Sequence, residues 1–471
     1  MEVRVIKFLF LDYRPVETVE GFERRLEPPR KHPANPFLLS DDPCEGNSMS
    51  MYGSVVRRDD GLFQMWYTAK HPKIGAALAY VESEDGLSWR RPALDEIKYN
   101  RRKTHLVFAK SPHGTTIIYD RAETRPGWKY KMLTGAAPSH RICAFRSGNG
   151  KHWTAAAENP VTGSNPDCPM SLQRAADGHY VAYHRPGFGD RRVARSESWD
   201  FAHWSKPQIV IDQEPGDPPQ TQFYGLGAIP YGAYEIGTLW IYRTDPTNMD
   251  FYKMQFGHQY AELAYCRSGY AWHRAAVDEP YIPNGRKGTW DWGCLQVCSS
   301  PLLLEDEIRF YYAASRALHS GYKDWKGPGP MCGVGMASCK PDRFVSLTAA
   351  SRGKLLTRPF WTETPRFFAN AAVAKGGDLR VGVLDTDGKP IAGFGLADCL
   401  PVSGDSTRHE ITWRGSPDAS TLANRQIRLR VEARKAKLYS LASGTPDEIR
   451  RYWDFRIPYF LSMEAEKQRR D

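Results

Sequence analysis

The chain has 471 residues, of which 41% are hydrophobic and 25% are charged, a composition typical of a globular protein with two or three domains. Its 34 Pro, 40 Gly and 12% aromatic residues favour many short strands and turns over long helices. The net charge of +10 is diffuse, which slightly favours anionic small molecules or acidic glycans as partners and argues against nucleic acid.

The N-terminal segment, residues 1–34, is predicted to be an arm that adds an edge strand to one of the domains. The apolar stretch in its sequence, MEVRVIKFLFLDYRPVE, is too short for a secretory signal peptide. No apolar run approaches the roughly 18 residues of a membrane span. We therefore expect a cytoplasmic protein without a membrane partner, although a start missing from this sequence would hide an export signal.

A short motif with Gly and Trp then repeats along the chain. The segment SEDGLSW at 83–89 returns as SGNGKHW at 147–153, SESWDFAHW at 196–204 and CRSGYAW at 266–272, with a degenerate copy, CKPDRFVSL, at 339–347. Before each clear copy lie two strand-like segments joined by a turn and then a third strand. Repeats of this length predict a five-bladed β-propeller over residues 35–345, with four antiparallel strands per blade. The motif would be the turn between the third and fourth strands, with Trp89 packed between blades.

The pattern changes near residue 346. Residues 346–442 alternate apolar and polar positions and are predicted to form a β-sandwich, with a tight turn at DTDGKP, residues 385–390. Residues 443–471 form a C-terminal tail that begins as a short helix, with Thr445 as the N-cap and Pro446 in the first turn. The fold class is therefore all-β, apart from this helix.

Two stretches carry a family resemblance. NPFLLSDDPCEGNSMSMYGSVVRRDDGLFQMWYTA at 35–69 resembles the first blade of glycoside hydrolases of families 32 and 43, and VGMASCKPDRFVSLTA at 334–349 resembles the propeller-to-sandwich junction of uncharacterised relatives of family 32. The resemblance implies a propeller that acts on carbohydrate. The W-x-N-D-like, R-D-P and E-C motifs of family 32 are absent here in that form.

Carboxylates at the predicted mouth of the propeller are the candidate catalytic groups. Ligand-binding groups in propellers come from the starts of the inner strands and the ends of the second strands. Glu45, Asp167 and Asp291 lie just before inner strands, and glycoside hydrolysis needs two such carboxyl groups. Glu262, on a third strand, is predicted to be a surface residue or a partner between blades. Five other aspartates are excluded as catalytic groups, because they lie in or next to turns between first and second strands: Asp59, Asp60, Asp120, Asp177 and Asp306.

Basic and aromatic residues complete the predicted mouth. Arginine binds carboxylate, sulfate or phosphate with two parallel hydrogen bonds, and aromatic rings stack on sugar faces. The candidate substrate-binding residues are His71, His184, Arg185, Tyr224, Arg243, Trp290, Trp292, Arg316 and His319.

Three functions remain open from the sequence. The first is a glycosidase for an oligosaccharide, anionic or furanosidic, in which Asp291 and Glu45 form the acid/base and nucleophile pair in unassigned order and Asp167 is a stabiliser or sugar ligand. The second is a glycoside phosphorylase in which inorganic phosphate replaces the nucleophile. The third is a non-catalytic glycan-binding propeller. No cofactor motif is present, and no metal-ligand set is predicted from the nine Cys, while a structural cation in the propeller channel and the oligomeric state are left open.

Overall fold

A computed structural model describes residues 5–162, 167–187, 191–218, 221–244, 257–319, 321, 325–415 and 417–450, apart from the side chains of Asp167 and Arg450. The regular secondary structure of the described residues is almost entirely β-strand, with one short α-helix and a 3-10 helix at Ala419–Leu422. It divides into two compact units. Residues 30–304 and 308–338 belong to the larger unit, and residues 5–29, 305–307 and 339–450 belong to the smaller one.

The N-terminal segment contributes short strands to both units. These strands are β1 (Ile6–Leu9), β2 (Val16–Glu20), β3 (Glu23–Leu26), β4 (Arg30–Lys31) and β5 (Leu38–Leu39). The first three belong to the sheet of the smaller unit, and the last two belong to the larger unit.

The first group of strands in the larger unit is an antiparallel sheet with an inserted hairpin. Its strands are β6 (Met49–Ser50), β7 (Val55–Arg57), β8 (Phe63–His71) and β9 (Gly75–Ser83), followed by the hairpin β10 (Leu94–Tyr99) and β11 (Arg102–Thr104) and then by β12 (Leu106–Phe108). β6 and β7 both pair with β8, and the sheet continues through β9 to β12. Because β8 is buried at eight of its nine positions, this strand is covered on both faces.

The second and third groups are four-stranded antiparallel sheets in chain order. The second contains β13 (His113–Tyr119), β14 (Tyr130–Gly135), β15 (Ile142–Ser147) and β16 (Thr154–Ala155). The third contains β17 (Asp167–Arg174), β18 (Tyr180–Arg185), β19 (Val193–Ser198) and β20 (Gln208–Ile211).

The fourth and fifth groups share one sheet. The fourth contains β21 (Thr221–Tyr231), β22 (Tyr234–Thr244), β23 (Gly257–Cys266) and β24 (His273–Arg274), and the fifth contains β25 (Cys294–Val297), β26 (Leu302–Leu303), β27 (Ile308–Ser315) and β28 (Cys332–Cys339). A single parallel pair, Gln259 with Cys294, joins them. The N-terminal strands β4 and β5 pair antiparallel with β28 and supply the outer strand of the fifth group.

The first strands of the five groups are linked in a cycle. Ile117 of the second group donates its N–H to Ser54 of the first at 2.7 Å, and β13 contacts β17 of the third group. Ala228 of the fourth group binds the carbonyl of Ser299 at 3.0 Å, and the N–H of Ser299 binds the carbonyl of Gly53 at 2.9 Å. β17 also contacts β21, so the contacts run from the first group through the fifth and back to the first.

Three of the repeated turns share one hydrogen-bond geometry. In the first turn, Asp85 Oδ1 accepts the backbone N–H groups of Leu87 and Ser88, both at 2.7 Å. Asn149 and Asp200 accept backbone N–H groups in the same way in the second and third groups. The turn requires a residue with positive φ, which is Gly86 (φ +74°) in the first group, Gly150 (φ +75°) in the second and Phe201 (φ +69°) in the third.

These turns also connect neighbouring groups. The Trp66 indole donates to the Gly150 carbonyl at 2.8 Å, which links the first group to the turn of the second. The Tyr311 hydroxyl of the fifth group donates to the Gly86 carbonyl of the first at 2.8 Å. The ring of Trp89 lies 5.9 Å from the ring of Tyr311, which confirms that this Trp packs between sheets. The repeated motif is therefore part of the scaffold.

The smaller unit is built on a nine-stranded sheet. Its remaining strands are β29 (Val345–Ala349), β30 (Gly353–Thr357), β31 (Phe360–Thr362), β32 (Phe367–Leu384), β33 (Gly404–Glu410) and β34 (Arg425–Ser443). β32 and β34, of 18 and 19 residues, pair along their lengths and cover a core that contains Val381, Leu429 and Trp413.

Two local predictions in this unit are confirmed. At DTDGKP, the N–H of Gly388 binds the Asp385 carbonyl at 3.2 Å, and Gly388 has φ +83°. The helix α1 (Pro446–Arg450) begins after Thr445, whose hydroxyl accepts the N–H of Glu448 at 3.3 Å. Glu448 accepts the N–H of Thr445 at 2.6 Å in return, which completes a capping box.

Candidate functional site

Side chains from all five groups of the larger unit meet in one cluster. We call it the arginine–tyrosine cluster, and its members are Tyr52, His113, Arg185, Arg191, Tyr224, Tyr242 and His319. Most of them come from first-strand entries and second-strand ends, the two kinds of position that are predicted to line the mouth of a propeller.

Two guanidinium groups of the cluster lie against tyrosine rings. The guanidinium carbons of Arg185 and Arg191 lie 5.4 and 5.0 Å from the centre of the Tyr224 ring. Arg191 is also 5.5 Å from the centre of the Tyr242 ring. Each such cation–π contact contributes about 0.5–2 kcal/mol, depending on desolvation. Two positive charges therefore converge on Tyr224.

Polar contacts orient the cationic side chains. Arg185 Nη2 lies 3.2 Å from Nε2 of His113, which comes from the start of β13 in the neighbouring sheet. Arg191 Nη1 donates to Gln222 Oε1 at 2.7 Å. Arg185 is 8% exposed, so its guanidinium group is held in a largely desolvated position.

His319 connects the two tyrosine hydroxyls. Its Nε2 lies 2.8 Å from the hydroxyl of Tyr224, and its Nδ1 lies 3.4 Å from the hydroxyl of Tyr242. Burial raises the pKa of Tyr242, so its phenol is neutral at physiological pH.

Asp167 is the first residue of β17, the strand that pairs with β18 at Arg185. The backbone of Asp167 pairs with that of Arg185, and a register shift follows before Pro169. Cys168 at this irregularity has φ +52°, a conformation that L-residues rarely adopt. Bulges of this kind often redirect a side chain next to a functional site. The side chain of Asp167 lies outside the described residues.

Glu45 lies in a separate buried network. Its side chain is fully buried, and its carboxylate binds Arg91 at 3.1 and 3.2 Å and His105 Nε2 at 2.7 Å. The hydroxyl of Tyr67 donates to the same carboxylate. Both carboxylate oxygens therefore have protein partners.

Asp291 forms an ion pair at the entry to the fifth group. Lys31 Nζ lies 2.6 Å from Asp291 Oδ2, and the hydroxyl of Thr289 donates to Oδ1 at 2.9 Å. Trp290 stacks on Tyr312 with ring centres 5.5 Å apart and planes 14° apart. Trp292 packs edge-on against His258 at 5.0 Å. Both tryptophans predicted to bind substrate thus have aromatic contacts within the protein.

The predicted histidines His71 and His184 contact backbone and hydroxyl groups. His71 Nδ1 accepts the N–H groups of Lys73 and Ile74 at 3.1 and 3.2 Å, which stabilises the turn after β8. His184 is 1% exposed, with Nε2 at 2.9 Å from the hydroxyl of Ser196. These contacts place neither ring in the arginine–tyrosine cluster.

Arg243 and Arg316 also have protein acceptors. Arg243 donates to Asp278 at 2.7 Å and to the hydroxyl of Tyr260 at 3.2 Å. Arg316 donates to the backbone carbonyls of Pro330 and Gly288 at 3.2 and 3.1 Å. Of the nine predicted substrate-binding residues, the cluster brings together three: Arg185, Tyr224 and His319.

One prediction about a carboxylate was wrong. Glu262 is fully buried and receives two hydrogen bonds, at 2.6 and 2.9 Å, from Arg274 of β24, the neighbouring strand in the same sheet. It is therefore neither a surface residue nor a partner between sheets. Asp120, excluded as a catalyst from its turn position, binds Lys131 at 2.8 Å and Arg174 at 2.9 Å.

Four members of the cluster are missing from the substrate-binding set predicted by sequence: Tyr52, His113, Arg191 and Tyr242. Tyr52 and His113 lie at the first-strand entries of their groups, where the topological rule could have found them. Arg191 lies in the segment between β18 and β19, which the rule does not cover. Tyr52 stacks on Tyr224 with ring centres 6.4 Å apart, and burial raises its pKa well above the usual value.

Comparison with known proteins gives only distant similarity. No family model matches the chain, and no curated protein matches it. The predicted relation to glycoside hydrolase families 32 and 43 therefore stays a prediction.

Three solved structures illustrate the level of similarity. The first belongs to work on the GH130 family of mannoside phosphorylases, which contains glycoside hydrolases that target β-1,2 mannosidic linkages in Candida mannan. Its sequence is 16% identical to this chain, and the TM-score is 0.45 over 67% of this chain and 94% of that one. A glycosyl hydrolase from Bacteroides ovatus has 15% identity and a TM-score of 0.46, over 68% and 95%. An α-L-arabinofuranosidase from Podospora anserina has 12% identity and a TM-score of 0.45, over 67% and 98%. Similarities at this level do not specify what this chain binds or catalyses.

In the part of the chain that the structure describes, no helix has both the length and the apolar character that crossing a membrane needs.

Proposed function

We propose that this chain is a glycan-active enzyme that cleaves a glycosidic bond at the arginine–tyrosine cluster, with inorganic phosphate as the attacking group. We further propose that the five groups of the larger unit are the blades of a five-bladed β-propeller and that the smaller unit is a β-sandwich. The closed cycle of contacts between first strands supports the propeller, and the cluster then lies at its mouth.

The observation that carries this function is the convergence of Arg185 and Arg191 on Tyr224. Guanidinium groups bind phosphate through paired N–H donors, and they keep their charge at any physiological pH. The tyrosine rings beside them offer flat apolar faces of the kind that sugar rings pack against. The cluster thus combines anion-binding and sugar-binding groups from separate strands.

Phosphorolysis requires a general acid that protonates the leaving oxygen. We assign this role to Asp167, because its backbone pairs with that of Arg185 at the start of β17. A phosphate oxygen would attack the anomeric carbon and the bond to the leaving oxygen would break. Asp167 would donate its proton to that oxygen, and the products would be a sugar phosphate and a shortened glycan.

Paired-carboxylate hydrolysis by Asp291 and Glu45 is the second candidate. The position of Asp291 supports hydrolysis, because this residue lies between Trp290 and Trp292 at a first-strand entry. In this scheme Asp167 would stabilise the site or hold a sugar hydroxyl. The existing partners of Glu45 and Asp291 make this scheme the weaker one, because a carboxylate with two or more protein contacts must break some of them to reach a sugar.

The decisive experiment is a turnover screen with aryl glycosides and neutral and acidic oligosaccharides, with and without inorganic phosphate. The reverse reaction, from sugar 1-phosphates and acceptor sugars, belongs in the same screen. Phosphate-dependent release supports phosphorolysis. Release at the same rate without phosphate would contradict it and favour hydrolysis, and glycan binding without any turnover would favour a binding protein.

Variants then test the assigned groups. Arg191→Ala should raise the KM for phosphate at least tenfold, and Asp167→Asn should abolish turnover without a change in melting temperature. Arg192→Ala is the matched control, because this neighbouring residue pairs with the exposed Asp212 at 2.9 Å. An equal rise in the KM for phosphate in Arg191→Ala and Arg192→Ala would refute the assignment of the phosphate site.

A further inference from the structure

We infer that Asp42, Cys44 and His105 form a binding site for a thiophilic divalent cation such as Zn²⁺. One carboxylate oxygen of Asp42, the Cys44 thiol sulfur and one ring nitrogen of His105 all lie within 4.8 Å of one another. Carboxylate, thiolate and imidazole are the three ligand types that zinc prefers in proteins.

The distances suit a single ion. Cys44 Sγ lies 3.9 Å from His105 Nδ1. Zn–S and Zn–N bonds of about 2.3 and 2.0 Å at a tetrahedral angle separate sulfur and nitrogen by about 3.5 Å, so a small movement of either side chain accommodates the ion. Three protein ligands leave a fourth position for a water molecule.

A local turn places two of the ligands side by side. Asp42 Oδ1 accepts the backbone N–H of Cys44 at 2.9 Å, which brings the carboxylate next to the thiol. Cys44 is 4% exposed and His105 is 3% exposed, whereas Asp42 is half-buried, so the site meets solvent on the side of Asp42. His105 reaches it from the residue before β12, about sixty positions along the chain.

The second ring nitrogen of His105 has the partner that a metal-binding histidine requires. Nε2 lies 2.7 Å from Glu45 Oε1, which leaves Nδ1 to face the sulfur. Metal-bound histidines usually donate their other ring N–H to a carboxylate, which fixes the tautomer and orients the ring. Arg91 and the Tyr67 hydroxyl hold Glu45 in place for this contact. Glu45 would therefore be a positioning residue at this site.

Metal binding would change the protonation of one ligand. The Cys44 thiol must lose its proton to solvent as the Zn–S bond forms, so the affinity for zinc should rise with pH. The ion would connect the segment after β5 to the residue before β12 within the larger unit.

The first test is the metal content of the full-length chain, produced without a polyhistidine tag and dialysed against zinc and then against buffer. Inductively coupled plasma mass spectrometry should find about one zinc per chain. Cys44→Ser should lose this zinc. Cys143→Ser is the matched control, because Cys143 is also buried and its sulfur lies 3.9 Å from the hydroxyl of Ser139. Zinc retained by Cys44→Ser at the wild-type level would overturn the proposal.

Cobalt substitution keeps the proposal testable if Cys44→Ser does not fold. Wild-type protein stripped by a chelator and loaded with Co²⁺ should show a thiolate-to-cobalt charge-transfer band in the near ultraviolet and the visible bands of a tetrahedral site. Absence of the thiolate band would overturn the site. Glu45→Gln should weaken zinc binding roughly 10–100-fold, and an unchanged affinity would refute the role of Glu45 in orienting His105.

Discussion

Arg274 neutralises two buried carboxylates, and its replacement should strongly destabilise the larger unit. Its guanidinium group donates to Glu262 at 2.6 and 2.9 Å and to Asp217 at 2.6 Å. The side chains of Arg274, Glu262 and Asp217 are 1%, 0% and 1% exposed. Arg274→Met keeps much of the apolar volume of the side chain but removes the hydrogen-bonded cation from both carboxylates. Arg243, whose Nη2 lies 3.8 Å from Asp217 Oδ1, is then the cation that remains beside them.

The expected loss is about 3–5 kcal/mol at pH 8, the usual result of removing one partner from a buried ion pair. Burial raises the pKa of Glu262 in the native protein, whereas Arg274 opposes this rise. Without Arg274 the native pKa of Glu262 rises further above its unfolded value. The native state then binds a proton more tightly than the unfolded state does, so the variant becomes relatively more stable as the pH falls. The loss should therefore be smaller at pH 5 than at pH 8.

Urea unfolding followed by tryptophan fluorescence measures both values, because Trp272 is buried in the same group of strands. Arg192→Met is the control, since Arg192 pairs with Asp212, whose side chain is 76% exposed, and such pairs contribute only about 0.2–1 kcal/mol. A loss below about 1 kcal/mol at pH 8, or a loss that grows towards pH 5, would refute the assignment of a charge-neutralising role to Arg274.

Two further predictions concern the repeated turns. The backbone N–H groups of Ser88 and Leu87 hold the pKa of Asp85 well below its usual value of 3.8, so its stabilising effect is complete above that value and is lost as the pH falls. Asp85→Ala should cost about 0.5–1 kcal/mol at pH 7, whereas Asp85→Asn should cost less and weaken the decline in melting temperature below about pH 4; an unchanged decline would contradict this account. Trp66→Phe should cost about 1–3 kcal/mol in urea unfolding, because it leaves the buried Gly150 carbonyl without its donor. Trp153→Phe should cost less, because the Trp153 indole nitrogen has no hydrogen-bond partner within the described ranges; equal losses would count against the importance of the Trp66 bond.

The sequence predicted those parts of the fold that depend on local chemistry. The Asp85 and Asn149 turns form because an Asp or Asn side chain binds backbone N–H groups two and three residues ahead. The capping box at Thr445 follows from the same kind of local hydrogen bond. Phe201 occupies the third turn at φ +69°, so the absence of Gly there obscured the repeat without changing the backbone.

Long-range pairing was harder to predict. The outer strand of the fifth group comes from β4 and β5, and no local pattern in the arginine-, lysine- and proline-rich segment around them identifies their partner β28. The hairpin β10–β11 similarly interrupts the first group before its outer strand.

The predicted site residues stay a prediction, but the structure shows which of them lie together. The rule about strand ends identified Arg185, Tyr224 and His319, which the structure brings together. It could not distinguish them from Arg243 and Arg316, because the acceptors of those two side chains lie on distant segments that alternation in sequence does not reveal. Arg191 was missed because it lies between strands.

The origin of the outer strand in the fifth group has a consequence for synthesis on the ribosome. Residues 30–39 emerge early, but their partner strand, β28, lies roughly 300 residues later, which takes about 15–60 s to translate at about 5–20 residues per second. Throughout that interval the backbone groups of this segment that bind β28 in the native protein lack their native partner. Its charged and proline-rich composition, RKHPANPF, disfavours pairing with other chains during this wait. The pairing of β4 and β5 therefore waits for the synthesis of β28, the last described strand of the larger unit.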